Sequence, residues 1–358
     1  MPSNNTSSKQ KRSEAVVLQS LLDLSAREYR KTLSKLREYL EVVDKKASLN
    51  QWNDINYNHV PSKANLKYRN AFLKHDEERR KAYLASLQKG DDAVKINASS
   101  MFLYDIVQAY LKVDSYWDSS LNPYDEILEQ LWNAQEAPKD YDDILVIRDG
   151  SGSMYQQLTS NSSVTALSMA DSIALYCAQH NKNKSFNNRF ITFSNRPQMV
   201  DISMCQTLRD KLRRLHRFDD YSNTDIEATF DLILDTVVKN HLPQEALPSS
   251  CLIISDMQFD QATEHDDNIT VIEKCRRKFE TLGYTMPRLI FWNVSVYAHN
   301  TIPLQVHPSG IILVSGFSKS IVDMVVSREL DPERALKAEL DAKCSIVDTV
   351  LQNYVKVA

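Results

Sequence analysis

Three oxygen-bearing side chains crowd one short loop of this chain. Asp149, Ser151 and Ser153 alternate with Gly150 and Gly152, and Arg148 alone separates Asp149 from a run of four apolar residues. A carboxylate and two hydroxyls are ligands that Mg²⁺ and Ca²⁺ accept, whereas Zn²⁺ favours Cys and His, which the loop lacks. The loop therefore predicts a site for a hard divalent cation, with Mg²⁺ favoured and Ca²⁺ or Mn²⁺ as alternatives.

Two more polar residues could complete such a site. Asp256 ends a predicted strand at residues 250–256, so its carboxylate should reach the sheet edge that carries Asp149 if the two strands are neighbours. Thr224 opens an apolar-periodic stretch at residues 224–240. Considered alone, Thr224 is more simply a helix N-cap and Asp256 a loop residue that starts a turn. Considered with the loop, both become candidate metal ligands.

The elements that must position these residues alternate between short apolar runs and amphipathic stretches after residue 140. This alternation predicts an α/β domain with a doubly wound, mainly parallel sheet. A hairpin closed by Asn195-Arg196-Pro197 predicts one antiparallel edge strand. Predicted strands cover residues 144–149, 189–194, 198–202, 250–256, 288–294 and 311–315, and predicted helices cover residues 165–179, 206–216, 224–240, 268–282 and 319–328.

An α-helical region is predicted to precede the sheet. Apolar residues recur at helical spacing in residues 14–25, 27–46, 63–83, 99–112 and 126–134. The predicted organisation is a disordered tail at 1–13, the α-helical N-terminal region at 14–139, the α/β domain at 140–330 and a C-terminal helix at 331–358 that packs on it.

Charge is unevenly distributed although the formal net charge is only −4. Residues 1–90 contain 18 Lys and Arg against 10 Asp and Glu. Such a basic segment could bind phosphate backbones, but charges interleaved at helical spacing more often form a solvated face. No apolar stretch is long enough to cross a bilayer and the five cysteines are scattered, so we expect a soluble cytoplasmic protein with reduced thiols and no membrane partner.

The order and separation of the five candidate ligands resemble the metal-ion-dependent adhesion site, or MIDAS, of von Willebrand factor A domains. The resemblance implies that fold, which is Rossmann-like, and a partner protein that supplies a Glu or Asp to the ion. It also implies that Asp149, Ser151, Ser153 and Thr224 ligate the ion directly or through water, while Asp256 holds a ligand water. The approach to Thr224 departs from the family pattern, since Ser222 and Asn223 stand where adhesion proteins are commonly Gly-rich.

Several further segments resemble the family of domain of unknown function 2828, which is distantly similar to the TROVE-type Ro RNA-binding proteins. The resemblance covers about residues 27–330. The segments are Val60-Pro61-Ser62-Lys63, residues 71–79, residues 255–260, Phe291-Trp292-Asn293-Val294 and Ser315-Gly316-Phe317-Ser318.

Three functions follow as hypotheses. The first is a non-enzymatic binding module that recruits an acidic protein ligand through a MIDAS-type site. The second is a Ro-like RNA-binding protein that uses the basic N-terminal helical region. The third is a metal-dependent phosphoester hydrolase, which the sequence favours least because neither a general base nor a second metal cluster is apparent in it.

Overall fold

The chain forms two compact units, residues 1–100 and 101–358, in a computed structural model. The second unit contains the sheet together with residues 101–139. The sequence instead assigns residues 14–139 to an α-helical region that ends where the α/β domain begins. The structure describes residues 9–98, 101–111, 120–135, 143–158, 163–219, 224–256, 267–295, 304–306, 310–316, 319–326, 333–334, 337 and 340–341.

The first unit is helical, as the sequence predicts. Its second helix begins with a capping box, in which Ser25 Oγ accepts from the Glu28 amide and Glu28 accepts from the Ser25 amide at 2.9 Å. Its interior contains the buried Arg80, whose guanidinium lies over the rings of Tyr57 and Phe72. The helices are α1 (Lys9–Leu21), α2 (Ala26–Tyr39), α3 (Val43–Ser48), α4 (Ser62–His75) and α5 (Glu77–Gln88).

Two predicted helices of this unit are interrupted in the structure. The stretch 27–46 divides near Glu41, whose φ of 47° lies in the left-handed region. The stretch 63–83 divides at Asp76, whose φ of −148° is incompatible with helix. The predicted disordered tail is wrong for residues 9–13, which lie in α1, and residues 1–8 fall outside the described residues.

The second unit confirms the predicted α/β class with a doubly wound, mainly parallel sheet. The described strands form one sheet in the order β3-β2-β1-β4-β5-β7-β6. Antiparallel strands lie at both edges, β3 beside β2 and β6 beside β7, where the sequence predicts one such strand. The strands are β1 (Ile144–Asp149), β2 (Arg189–Phe193), β3 (Met199–Asp201), β4 (Ser250–Ser255), β5 (Arg288–Asn293), β6 (Leu304–Val306) and β7 (Ile312–Ser315).

Helices cover both faces of this sheet, which is why β1 and β4 are buried along their whole length. Leu145 and Ile147 pack on one face with Phe230, Ile233 and Phe279. The other face of β1 packs against α8. The helices of the unit are α6 (Leu103–Tyr110), α7 (Glu126–Asn133), α8 (Ala166–His180), α9 (Leu208–His216), α10 (Ile226–Lys239), α11 (Asp267–Thr281) and α12 (Lys319–Val326).

Helices α6 and α7 contribute polar side chains to the ends of the helices that cover the sheet. Gln108 of α6 accepts from the Thr165 amide at 3.1 Å, at the start of α8. Glu129 of α7 accepts from the amides of Leu208 and Arg209 at 2.6 and 3.1 Å, at the start of α9. These bonds satisfy amide donors that a helix leaves open in its first turn. They explain why residues 101–135 belong to the sheet unit.

No helix among the described residues is long and apolar enough to span a membrane. The predicted C-terminal helix at 331–358 lies for the most part outside the described residues.

Candidate metal centre

The site lies where the strand order of the sheet reverses direction. Strand β1 pairs in parallel with β2 on one side and with β4 on the other. In open α/β sheets, ligands bind at such a switch point, beyond the carboxyl ends of the strands. Asp149 ends β1 and Asp256 directly follows β4, so both carboxylates stand at this position.

The first loop folds back on the carboxylate that begins it. The Ser151 amide donates to Asp149 Oδ1 at 2.8 Å, and the Oγ atoms of Ser151 and Ser153 are 3.0 Å apart. A short 3₁₀ turn over Gly152–Tyr155 carries Ser153 outward. Asp149 is therefore buried at the base of the loop, while Ser153 is exposed at its rim.

The second carboxylate reaches the same rim. Ser153 Oγ donates to Asp256 Oδ1 at 3.0 Å, and Gln156 Nε2 lies 3.4 Å from Asp256 Oδ2. At the base, Ser255 Oγ donates to Asp149 Oδ2 at 2.6 Å. Hydrogen bonds thus connect Asp149, Ser151, Ser153 and Asp256, which are four of the five predicted residues.

Ser255 and Gln156 are site residues that the sequence reasoning missed. Ser255 stands beside Asp149 because the β1–β4 register pairs Arg148 with Ile254. Ser255 follows a buried apolar run, a position that places a hydroxyl at the carboxyl end of a strand. Only the pairing of β4 with β1 shows that this hydroxyl lies beside Asp149. Gln156 carries no comparable signal, since only the turn at 152–155 brings it near Asp256.

Thr224 is not the N-cap residue of α10. It stands before α10, and the N-cap of that helix is Asp225, whose Oδ1 accepts from the Ala228 amide at 2.9 Å. The structural alternative for Thr224 is therefore wrong, because the adjacent carboxylate takes the capping position. Its hydroxyl is not used for that cap.

The two carboxylates form an electronegative pair. Burial raises the pKa of the Asp256 carboxyl, the Ser153 hydrogen bond opposes that shift, and the charge of Asp149 adds to it. In the described part of the chain neither carboxylate makes an ion pair. The neighbouring cation, Arg148, is held by Asp171 and Asp219 instead.

The donor set fits a hard cation that takes mixed ligands. No group of three or more His, Cys, Asp or Glu side chains suited to a metal lies among the described residues. A cation at this edge would therefore depend on Ser hydroxyls and water besides the carboxylates of Asp149 and Asp256. Such oxygen ligands suit Mg²⁺, which usually retains several waters in proteins.

Two family models divide the chain between them. One, described as a domain of unknown function (DUF2828), matches residues 2–137, and the other, described as a domain of unknown function (DUF7788), matches residues 143–350. The predicted likeness to the first family is thus confirmed for the N-terminal part, whereas the sheet matches the second. The models meet close to the predicted boundary at residue 139, while the compact units divide at residue 100.

A viral protein is similar to most of the chain. It is the uncharacterized protein L728 of Acanthamoeba polyphaga mimivirus, 26% identical over 329 residues that make up 87% of this chain and 54% of that protein. The chain therefore spans about half the length of this relative. The DUF7788 model covers more than half of the chain and includes Asp149, Thr224 and Asp256, so the chain belongs to the DUF7788 family.

Proposed function

We propose that the carboxyl edge of β1 and β4 binds a divalent cation and that the chain is a non-enzymatic binding module of MIDAS type. The observation that carries the proposal is the hydrogen bond from Ser153 to Asp256, which joins residues 103 positions apart at 3.0 Å. It brings the first loop and the second carboxylate together at one rim. Convergence of this kind is what the likeness to von Willebrand factor A domains requires.

Electrostatics supports a cation at this rim. The charge of Asp149 is close enough to raise the pKa of the Asp256 carboxyl, and no described basic side chain forms an ion pair with either carboxylate. A divalent ion would supply the missing positive charge. If Asp256 acts through a ligand water, one carboxylate contacts the ion directly and the ion retains positive charge for an anionic ligand.

An acidic protein side chain is our proposed ligand for that ion. The groups around the two carboxylates are the hydroxyls of Ser151, Ser153 and Ser255 and the amide of Gln156. These groups orient carboxylates but do not exchange protons readily near neutral pH, which favours binding over hydrolysis.

Ion pairs in the first unit favour the solvated-face interpretation of its basic charge over RNA binding. Four described lysines of this unit are paired with carboxylates of the same unit, as in a solvated face of mixed charge. The pairs are Lys45 with Glu38, Lys46 with Glu41, Lys67 with Asp44 and Lys81 with Glu77.

Titration calorimetry of the full chain with Mg²⁺, Mn²⁺ and Ca²⁺ tests the cation proposal. We expect binding by the wild type and loss of binding by Asp149→Asn. Asp143→Asn is the matched control, because Asp143 lies just before the opposite end of β1 and accepts from Asn183 Nδ2. Absence of heat with all three cations, or equal binding by Asp149→Asn, would contradict the proposal.

The ligand is tested with pairs of peptides that differ only in Glu against Gln at one position. We expect the Glu member to bind only when Mg²⁺ is present, and chelation to release it. A salt-sensitive interaction with RNA that survives chelation, with no Glu dependence in the peptides, would favour the RNA-binding alternative.

A further inference from the structure

A buried cluster of ionisable side chains lies beneath the candidate metal centre. It consists of Arg148 on β1, Asp171 on α8, His216 at the end of α9 and Asp219 just after α9; we call it the Arg148 cluster. The side chains of Arg148 and Asp171 are 1% and 0% exposed. A buried guanidinium is costly to desolvate, so its presence one residue before Asp149 calls for a reason beyond packing.

The guanidinium bridges two separate segments. Its Nε donates to Asp171 Oδ1 at 2.7 Å, and its Nη1 donates to Asp219 Oδ1. The second oxygen of Asp171 contacts His216 Nε2 at 2.8 Å. Arg148 is therefore fixed from α8 on one side and from the end of α9 on the other.

Gly150, the second residue of the Asp149–Ser153 loop, packs directly on this guanidinium. A Cβ added to Gly150 would lie 3.2 Å from Arg148 Cζ and 3.0 Å from Asp219 Oδ1, and it would overlap Arg148 Nη1. The backbone φ of Gly150 does not require glycine. Glycine is needed here because the loop backbone rests against the Arg148 cluster.

The cluster also reaches the segment that leads to Thr224. Asp219 precedes Thr224 by five positions, and Arg148 immediately precedes Asp149. One guanidinium thus contacts both the start of the first candidate ligand loop, at Gly150, and Asp219, which lies five positions before Thr224.

We propose that Arg148 is a positioning residue for the candidate metal centre, holding the Asp149–Ser153 loop in the conformation that cation binding needs. The inference rests on the proposed function of that site. Arg148 acts from the opposite face of β1, through Gly150 and Asp219, and does not ligate the ion. Residues that orient metal ligands in this way change metal affinity by about 10–100-fold when altered.

Four variants of the full chain separate positioning from mere stability. Asp219→Asn keeps the size of the side chain and weakens one of the two ion pairs. Arg148→Lys keeps the charge but loses the fork that spans both carboxylates. Arg148→Met with Asp219→Asn removes the bridge without leaving Asp219 as an unpaired buried charge. Asp143→Asn is the control for loss of a carboxylate outside the cluster.

Mg²⁺ affinity is measured by calorimetry at a temperature where circular dichroism shows each variant to be folded. We expect Asp219→Asn and the double variant to bind Mg²⁺ about 10–100-fold more weakly, Arg148→Lys to fall between them and the wild type, and Asp143→Asn to be unchanged. A folded double variant with wild-type affinity would overturn the positioning role. Wild-type protein that binds no cation would refute the proposed function itself, so the two failures are distinguishable.

Discussion

Ser255 Oγ donates a hydrogen bond to Asp149 Oδ2 at 2.6 Å. This bond joins the ends of β4 and β1 at the base of the Asp149–Ser153 loop. Both side chains are almost completely buried, with 0% and 1% of their surface exposed. The bond supplies a donor to a carboxylate that has no described cationic partner. It therefore keeps the Asp149 carboxylate oriented toward the loop, whose Ser151 amide donates to Oδ1.

Replacement of Ser255 by Ala should destabilise the sheet unit by about 2 kcal/mol, because a hydrogen bond to a buried charged group is lost. Hydrogen exchange of the β1 amides measures the effect in that unit. Ser172→Ala is the matched control, since the buried Ser172 hydroxyl donates to the Met169 carbonyl of its own helix at 2.8 Å. Equal protection of β1 in the two variants would show that the Ser255 bond contributes nothing.

Asp256→Asn should change the free energy of unfolding in opposite directions with and without a bound cation. In chelator the variant should be more stable than the wild type by about 1 kcal/mol, because a partly buried negative charge beside Asp149 is removed. In Mg²⁺ the order should reverse, since the wild type gains stability from bound cation and the variant does not. Thermal unfolding in both buffers measures the two differences. The same order of stability in both would contradict a cation-binding role for Asp256.

Substitutions of Thr224 and Asp225 should show separate effects on cation binding and on the stability of α10. Asp225→Ala should cost about 1 kcal/mol, because the N-cap bond to Ala228 is lost. Thr224→Ala should leave the protection of the α10 amides unchanged and weaken Mg²⁺ binding about tenfold, as expected for a changed ligand or ligand neighbour. Hydrogen exchange and calorimetry measure the two properties. Thr224 is structural if its variant loses α10 protection and keeps wild-type affinity.

His180 should make the sheet unit sensitive to mild acid. Burial lowers the pKa of His180 below its ordinary value of 6.5, and the positive charge of Lys211 lowers it further. The unfolded chain then binds more protons between the lowered pKa and 6.5, so the free energy of unfolding falls as the pH drops through that window. Titration of the imidazole by NMR measures the pKa directly.

Lys211→Met should raise the pKa of His180, because the nearby positive charge is removed. Arg213→Met is the control, since Arg213 lies on the same helix but is paired with Asp210 at 3.2 Å. An unchanged pKa in Lys211→Met would show that burial alone accounts for the shift.

Long buried strands and the order of the candidate ligands could be predicted from the sequence. Strand β1 has the predicted bounds and β4 ends one residue early. Each contains four consecutive apolar residues, a pattern typical of a strand that is covered on both faces. The three residues of β6 carry too short a pattern to predict a second antiparallel edge.

The polar side chains that orient the candidate ligands could not be predicted, because their positions depend on which strands pair and on contacts between residues far apart in the sequence. The bond from Ser255 to Asp149 requires the β1–β4 register, which no local pattern specifies. Arg148 interrupts an apolar run, yet its partners Asp171 and Asp219 come from elements 23 and 71 positions away. The helical spacing of α6 and α7 predicted helices but not the unit to which they belong.

The hydrogen bonds that Gln108 and Glu129 accept would be lost if the chain were divided at the junction between the two family models. A recombination event that cut the chain near residue 140 would separate α8 and α9 from Gln108 and Glu129, which accept from amides at the helix starts, and those helices carry Asp171 and His216 of the Arg148 cluster. A crossover near residue 100 would keep these acceptors and the cluster together. Residues 101–135 should therefore be inherited with the sheet, although the DUF2828 model includes them.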